Sequence, residues 1–559
     1  MKIKLIDSIK NLRKDTIRKI VLLIAVIVFA CIWIFYECSK SEDVNDALTD
    51  VKIVDNEVKQ VELYMYTVET LNPLIATDEN MVYINKLMYS SLFDFDENLT
   101  PVGDLAESYG FGGDTLTIKL KSATFSDGVQ VDAEDIKFTV NAIKRIGTTS
   151  PYYTKASKIK SVSGSGTEVK IKFEDENDMS LSYLSFPIVA SHKYDSARDF
   201  AKAIKNYKPL GSGMYVCSSY EAGKEMLLDI NDSYYGTKPE STVRINVVKK
   251  DSSLSKLVET SNITVLYDKS LMRKTSVTKK DIQIHDIIGN QVEFVGFNSN
   301  NSFLSNANVR KAIIYGIDSN DILEECYYGS AVSSDSIYYP EYLGMEKTKG
   351  YSFDVEKAAK LLKDEGLKDR NDDGIIDSED GASFSVKILV DETNRERTDA
   401  AERIAESLSN LGIDATVDKK STEAYMAALK SGSYGIYVGG MSTDESMDFR
   451  SLLKTGGENN YTGCSNTELD SKLDELMSGK TPEEAATILD EIKKILKEDN
   501  YYYCIGYQTC GILESPVFQG EIKSTFSNPY RGIETWYCVY EKREADDNDV
   551  ETPPSENGN

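Results

Sequence analysis

The stretch FSVKILVDETNRERTDAAERIAESLSNLGIDATV, residues 384–417, changes its hydrophobic period twice. Phe384 to Val390 alternates apolar and polar residues, the mark of a half-buried strand. Arg395 to Leu411 instead places Ala401, Ile404, Leu408 and Leu411 on one face at helical spacing, and Gly412 supplies a stop. Ile413 to Val417 reads as a second strand. A strand, an amphipathic helix and a strand in succession form the repeating unit of an open α/β sheet.

The pattern extends in both directions. Upstream, a helix opens on Asp354 as N-cap, runs through Ala358, Leu361 and Leu362, and closes at Gly366. Downstream, the strand Tyr434 to Gly440 ends in the polar run STDESMD, residues 442–448. The N-terminal half mixes strands at 57–68, 116–120 and 168–173 with a helix over 133–146. Asp132 caps that helix, and Ile136, Val140 and Ile143 line one stripe. The fold class is α/β.

At 559 residues the chain is too long for one core, and the usual domain size predicts two or three folded units. A formal charge of -27 and a pI near 4.7 exclude a nucleic-acid partner, because phosphate binding needs a basic patch. The only two histidines, His192 and His285, stand in no nucleophile or metal motif, so the sequence is not read as an enzyme.

Residues 20–36 are uncharged and almost wholly apolar, and residues 1–19 before them are rich in Lys and Arg. This asymmetry predicts a transmembrane signal anchor with a cytoplasmic N-terminus, an acidic linker over 37–58, and everything beyond it outside the cytoplasm. A lipidated Cys31 and cleavage by a general signal peptidase are the competing fates. Of the external cysteines, only Cys504 and Cys510 are close in sequence, and free buried thiols are favoured over disulfides. The acidic tail, residues 543–559, lacks the apolar residues to fold.

Several stretches, in order, carry a resemblance. They are TLNPL (70–74), LMYSSLFDFDENLTPVGDLAESY (87–109), FSDGVQVDAEDIKFTVNAI (125–143), PLGSGMY (209–215), NDSYYG (231–236), VGFNSNN, VRKAIIYGID (309–318) and NYTGCSNTELD (460–470). Together they resemble the extracytoplasmic solute-binding proteins of ABC importers, in the large peptide and nickel family 5, over about residues 59–542. The resemblance implies a two-lobed, type II periplasmic-binding clamp with an extra domain inserted in the first lobe. On that pattern lobe I is 59–92, 205–290 and 508–542, the inserted domain is 93–204, and lobe II is 291–507.

The same resemblance implies that a peptide is enclosed between the lobes and delivered to permease subunits in the membrane by a monomeric binder. Asp444 would take the peptide's α-ammonium group, Gly440 and Ser442 would offer backbone hydrogen bonds, and Thr77 with Asp78 would face them from the first lobe. Met441 stands where the family pattern has an aromatic residue, which leaves open a nickel-chelate binder or a membrane-anchored sensor of peptide signals.

The acidic stretch DRNDDGIIDSED, residues 369–380, has the spacing of a calcium loop. Asp369, Asn371, Asp373, the carbonyl of Ile375, Asp377 and Asp380 fall at loop positions 1, 3, 5, 7, 9 and 12, with a turn at Gly374. No cofactor is expected beyond such a structural calcium ion. A solvated Asx turn is the alternative, and the strand that follows excludes a paired EF-hand.

Overall fold

The computed structural model describes residues 55–205, 207–249, 257, 263–269, 282–346 and 350–541. The segment read as a signal anchor, nearly all of the linker and the tail lie outside the described residues. The chain divides into two compact units, residues 58–538 and residues 1–57 with 539–559. Of the smaller unit only 55–57 and 539–541 are described, as short extended segments. Among the described residues no helix is long and apolar enough to cross a membrane.

The larger unit contains three main sheets. In the first, the strand Gln60–Tyr66 runs parallel to Thr242–Val248, which continues antiparallel to Glu225–Ile230 and Tyr215–Glu221. The long interval between the two parallel partners holds a separate four-stranded sheet, in the order Ala106–Gly112, Thr115–Leu120, Glu168–Phe173, Ile159–Ser165. The helix Ala133–Ile146 packs on this second sheet and starts where the sequence places it. Asp132 accepts from the Glu134 N–H, while Asp135 accepts from the Asp132 N–H, a reciprocal capping box.

The third sheet is seven-stranded and mixed. Along its main path lie Val265–Asp268, Tyr502–Glu514, Gln283–Phe297, Ile436–Ser442, Ser385–Asp391 and Asp414–Lys420, and the short strand Ala331–Val332 pairs with Tyr502–Glu514. The stretch 384–417 folds as its pattern requires: Ser385–Asp391 and Asp414–Lys420 are parallel, and the helix Arg395–Ser409 crosses between them. Ala401, Ile404 and Leu408 are fully buried in one core with Ile388 and Val438.

Two strands of this sheet are unusually long. Gln283–Phe297 has 15 residues and Tyr502–Glu514 has 13. At about 3.3 Å per residue the longer one spans roughly 50 Å, enough to cross from one packed body to another. Their first partners are Gln283–Ile288 with Thr509–Glu514, and their second are Val292–Gly296 with Tyr502–Tyr507, with register shifts at Ile288/Val292 and Glu293/Phe294. Between the two sets sits Gly289, where a Cβ would come within 2.7 Å of the Gln508 carbonyl. Only glycine allows the backbones to pass this closely.

The motif VRKAIIYGID also has a structural explanation. Arg310 is almost fully buried, donates to the carbonyls of Leu304, Ser305, Asp499 and Asn500, and stacks on the Tyr501 ring. It thereby satisfies the orphan carbonyls at the end of the helix Pro482–Asp499.

Because the box of Asp132 holds the helix start on the second sheet, Asp132→Ala is expected to lower stability by about 1 kcal/mol. A shift of the urea midpoint at unchanged slope is the measurement, and no shift would show that the cap contributes nothing.

Candidate functional site

Three strands of the third sheet, Ser385–Asp391, Asp414–Lys420 and Ile436–Ser442, run parallel. Their C-terminal ends, with the N-termini of the helices Arg395–Ser409 and Thr422–Ser431, form one edge. In open α/β sheets ligands bind outside this carboxyl edge. The edge also adjoins the crossing strands: Ser442 pairs with Gln291, the Thr443 N–H donates to the Asn290 carbonyl at 2.9 Å, and Asn290 Nδ2 donates back to the Thr443 carbonyl at 2.7 Å.

The residues expected from the sequence fall into two groups. Gly440, Ser442 and Asp444 stand together at this strand end, with Ser442 and Asp444 exposed. Thr77 and Asp78 stand together at the start of the helix Glu79–Met88, where Thr77 is exposed and Asp78 occupies the N-cap position beside Tyr66. The carboxylate of Asp444 is oriented by its own turn, with Oδ1 accepting from both the N–H and the hydroxyl of Ser446. The Tyr342 hydroxyl holds the same turn from beneath by donating to the Ser446 carbonyl at 3.0 Å.

Behind the strand end lies a polar network that was not read from the sequence. Ser442 Oγ donates to Gln291 Oε1 at 2.8 Å, and Gln291 Nε2 donates to Glu293 at 3.1 Å. Glu293, 0% exposed, also accepts from Arg397 Nε at 2.7 Å and Nη2 at 3.1 Å, from Gln508 at 2.9 Å and from the Tyr327 hydroxyl at 3.2 Å. Burial pulls the Arg397 guanidinium down, but the Glu293 carboxylate outweighs it and leaves the group above its ordinary range.

Gly440 belongs to this network. It pairs with Glu293 in the ladder, and a Cβ there would lie 2.4 Å from Arg397 Nη2 and 2.6 Å from the Val292 carbonyl. The glycine therefore makes room for the guanidinium. One signal in the sequence marks the network: Glu293 is the lone charge in QVEFVGF, residues 291–297, an otherwise apolar strand.

A second carboxylate, Glu445, is 9% exposed and receives Lys155 Nζ at 3.0 Å. Burial raises its pKa, yet the Lys155 and Lys86 ammonium groups overcome this and hold it below the usual range.

Comparison with known proteins fits this geometry. The family model of the bacterial extracellular solute-binding proteins, family 5 (middle region), matches residues 100–463. The chain belongs to that family. A sequence relative of this family-5 protein is the oligopeptide-binding protein AppA of Bacillus subtilis, 25% identical over 78% of this chain and 83% of the relative. Among solved structures, the unliganded open form of the periplasmic murein tripeptide-binding protein MppA aligns with TM-score 0.72 at 17% identity, covering 87% of this chain and 99% of that one. A nickel ABC transporter structure from Bacillus halodurans aligns with TM-score 0.70 at 18% identity, covering 84% and 98%. The family-5 fold is thus the two-lobed α/β architecture, and its folded part is extracytoplasmic.

The acidic loop of the family-5 protein lies between the helix Val355–Asp364 and the strand Ser385–Asp391. Its acids turn toward backbone amides. Asp369 accepts from the N–H groups of Asn371, Asp372 and Gly374, and Asp373 accepts from that of Ile375. Asp377 is buried and takes the Arg370 N–H and the Ser383 hydroxyl, while Asp380 is bound by Ser378. Among the described residues no group of carboxylate, imidazole or thiol ligands is placed to hold a metal ion. The expected calcium donors Asp369, Asn371, Asp373, Ile375, Asp377 and Asp380 all lie on this one loop, and the carboxylates that accept these N–H groups keep further lone pairs.

The loop also acts as a clip: the Ile376 N–H donates to the Gly412 carbonyl at 2.8 Å and the Phe384 N–H to the Ile376 carbonyl at 2.8 Å, joining the helix Arg395–Ser409 to its strand. All six described cysteines are free, Cys504 and Cys510 included. His192 pairs with Asp127 and His285 with Glu514.

Two predictions follow from these contacts. Gly440→Ala is expected to lose about 1 to 3 kcal/mol of stability through overpacking against Arg397, read as a lower denaturation midpoint; an unchanged midpoint would mean the guanidinium relocates freely. Asp369→Ala is expected to lower the melting temperature equally in calcium and in chelator, and a calcium-dependent rise in the wild type would show that the loop rearranges around the ion.

Proposed function

We propose that this family-5 protein captures peptides between its lobes, at the carboxyl edge built from Gly440, Ser442 and Asp444, and delivers them to the permease of an ABC importer. It does so as a monomer, tethered outside the membrane by the segment 20–36. The observation that carries the reading is Asp444, an exposed carboxylate fixed by Ser446 beside the crossing strands. A fixed anion at a cleft edge is complementary to a peptide α-ammonium group, and the adjoining strand end suits pairing with an extended main chain. The names of AppA and MppA support the same ligand class.

Calorimetric titration with a mixed di- to hexapeptide library tests this. Asp444→Asn is expected to weaken binding roughly 10- to 100-fold, the worth of a hydrogen-bonded charge. N-acetylated peptides should bind wild type and variant equally weakly. Equal affinity of the two proteins for free-amine peptides would remove Asp444 from the site, and heat released only by nickel chelates would replace the ligand class.

A further inference from the structure

The turn Asp444–Arg450 has a second face. Asp444 is turned to solvent, whereas Glu445 and Arg450 reach a part of the chain almost three hundred residues earlier. Lys155 lies on the short helix Tyr153–Ser157; its ammonium donates to Glu445 at 3.0 Å and to the Ser185 hydroxyl at 2.8 Å. Arg450, chelated by Asp448, donates to Asp178 Oδ1 at 2.8 Å and to the Asn177 carbonyl at 3.3 Å. The Tyr183 hydroxyl donates to the same Asp178 oxygen at 2.6 Å, and the Lys158 ammonium donates to the other at 2.5 Å.

Two backbone hydrogen bonds accompany the ion pairs, from the Met179 N–H to the Met477 carbonyl at 2.7 Å and from the Leu343 N–H to the Asn98 carbonyl at 3.0 Å. Beside them, Gly479 leaves no room for a Cβ against Phe111, which would be 2.8 Å away. Lys155–Glu445, Arg450–Asp178, Arg450–Asn177, Met179–Met477 and Leu343–Asn98 each join residues 93–204 to residues 291–507, so these five break together when those parts separate. The turn itself is stiff: Ser446 is bound to Asp444, Met447 holds φ +48°, and the Arg450 N–H is capped by Asp448 at 3.0 Å.

We propose that this turn couples ligand capture to closure. The segment that offers Asp444 to the ligand also carries Glu445 and Arg450, which lock onto Lys155 and Asp178 when the clamp shuts. A ligand that fixes Asp444 thereby fixes the two locking groups, and an engaged lock holds Asp444 in place for the ligand. The lock rests on the contacts between the two parts; only its coupling to capture rests on the reading of Asp444 above.

Amide hydrogen exchange on the full-length protein tests the lock directly, at the Met179 and Leu343 N–H groups. Lys155→Met and Arg450→Met are each expected to raise exchange at both amides on the order of 3- to 10-fold, and to weaken peptide binding by a similar factor. The conservative Lys155→Arg, which keeps the charge beside Glu445, should leave both readouts near wild type, which separates loss of the lock from loss of the fold. Unchanged exchange in the single variants would overturn the lock. Raised exchange with unchanged peptide affinity would overturn the coupling. Failure of every peptide to bind would strike the ligand reading alone, since exchange is measured without ligand.

Discussion

The buried carboxylate of Glu293 organises the middle of the molecule. It sits on one crossing strand, accepts from Gln508 on the other, and receives Arg397 from the start of a helix and Tyr327 from a third element. Removing one partner of such a pair leaves a charge stranded in the interior, at a cost of about 3 to 5 kcal/mol. The network lies where the ladder between the crossing strands shifts register. Irregular pairing needs something besides the ladder to fix its alignment. Glu293 supplies that fixed point, and through Gln291 and Ser442 it connects the fixed point to the cleft edge.

Much of this architecture was legible in the sequence because it follows from local rules. The helices at 133–146, 355–364 and 395–409 and the strands at 116–120, 168–173 and 385–391 declare themselves by period, cap and stop. What was not legible depends on partners distant in sequence. Glu445, next to the expected Asp444, looks like one more acid in a polar run; only the fold brings Lys155 to it and buries it. Gly440 was read as a backbone contact for the ligand, yet its lack of a Cβ is explained by Arg397. The calcium spacing of 369–380 is a pattern of side chains, and it gives no sign that Asp369 also accepts from the amides of its own turn.

The acidic composition has a related consequence. With a net charge of -27, two surfaces of this protein that approach each other start from repulsion. The facing parts overcome it locally, with Lys155 against Glu445 and Arg450 against Asp178. Apolar contact adds to these matched pairs, with Met477 packed in the core of the first half and Leu99 in that of the second.

The chemistry of that closure suits a binder that must release its cargo. A broad apolar face would contribute about 25 cal/mol for each Å² removed from water and would hold the parts shut regardless of ligand. Ion pairs that keep contact with solvent are worth about 0 to 1 kcal/mol each. The side chains of Lys155 and Arg450 are only 17% and 20% exposed and those of Glu445 and Asp178 11%, so these pairs are mostly buried and desolvation offsets much of their attraction. Two such pairs, two backbone hydrogen bonds and a small apolar contact join the two parts without forming a broad apolar face. With contacts of this size, a ligand with a differential affinity of a few kcal/mol for a closed form would be enough to decide which state is populated.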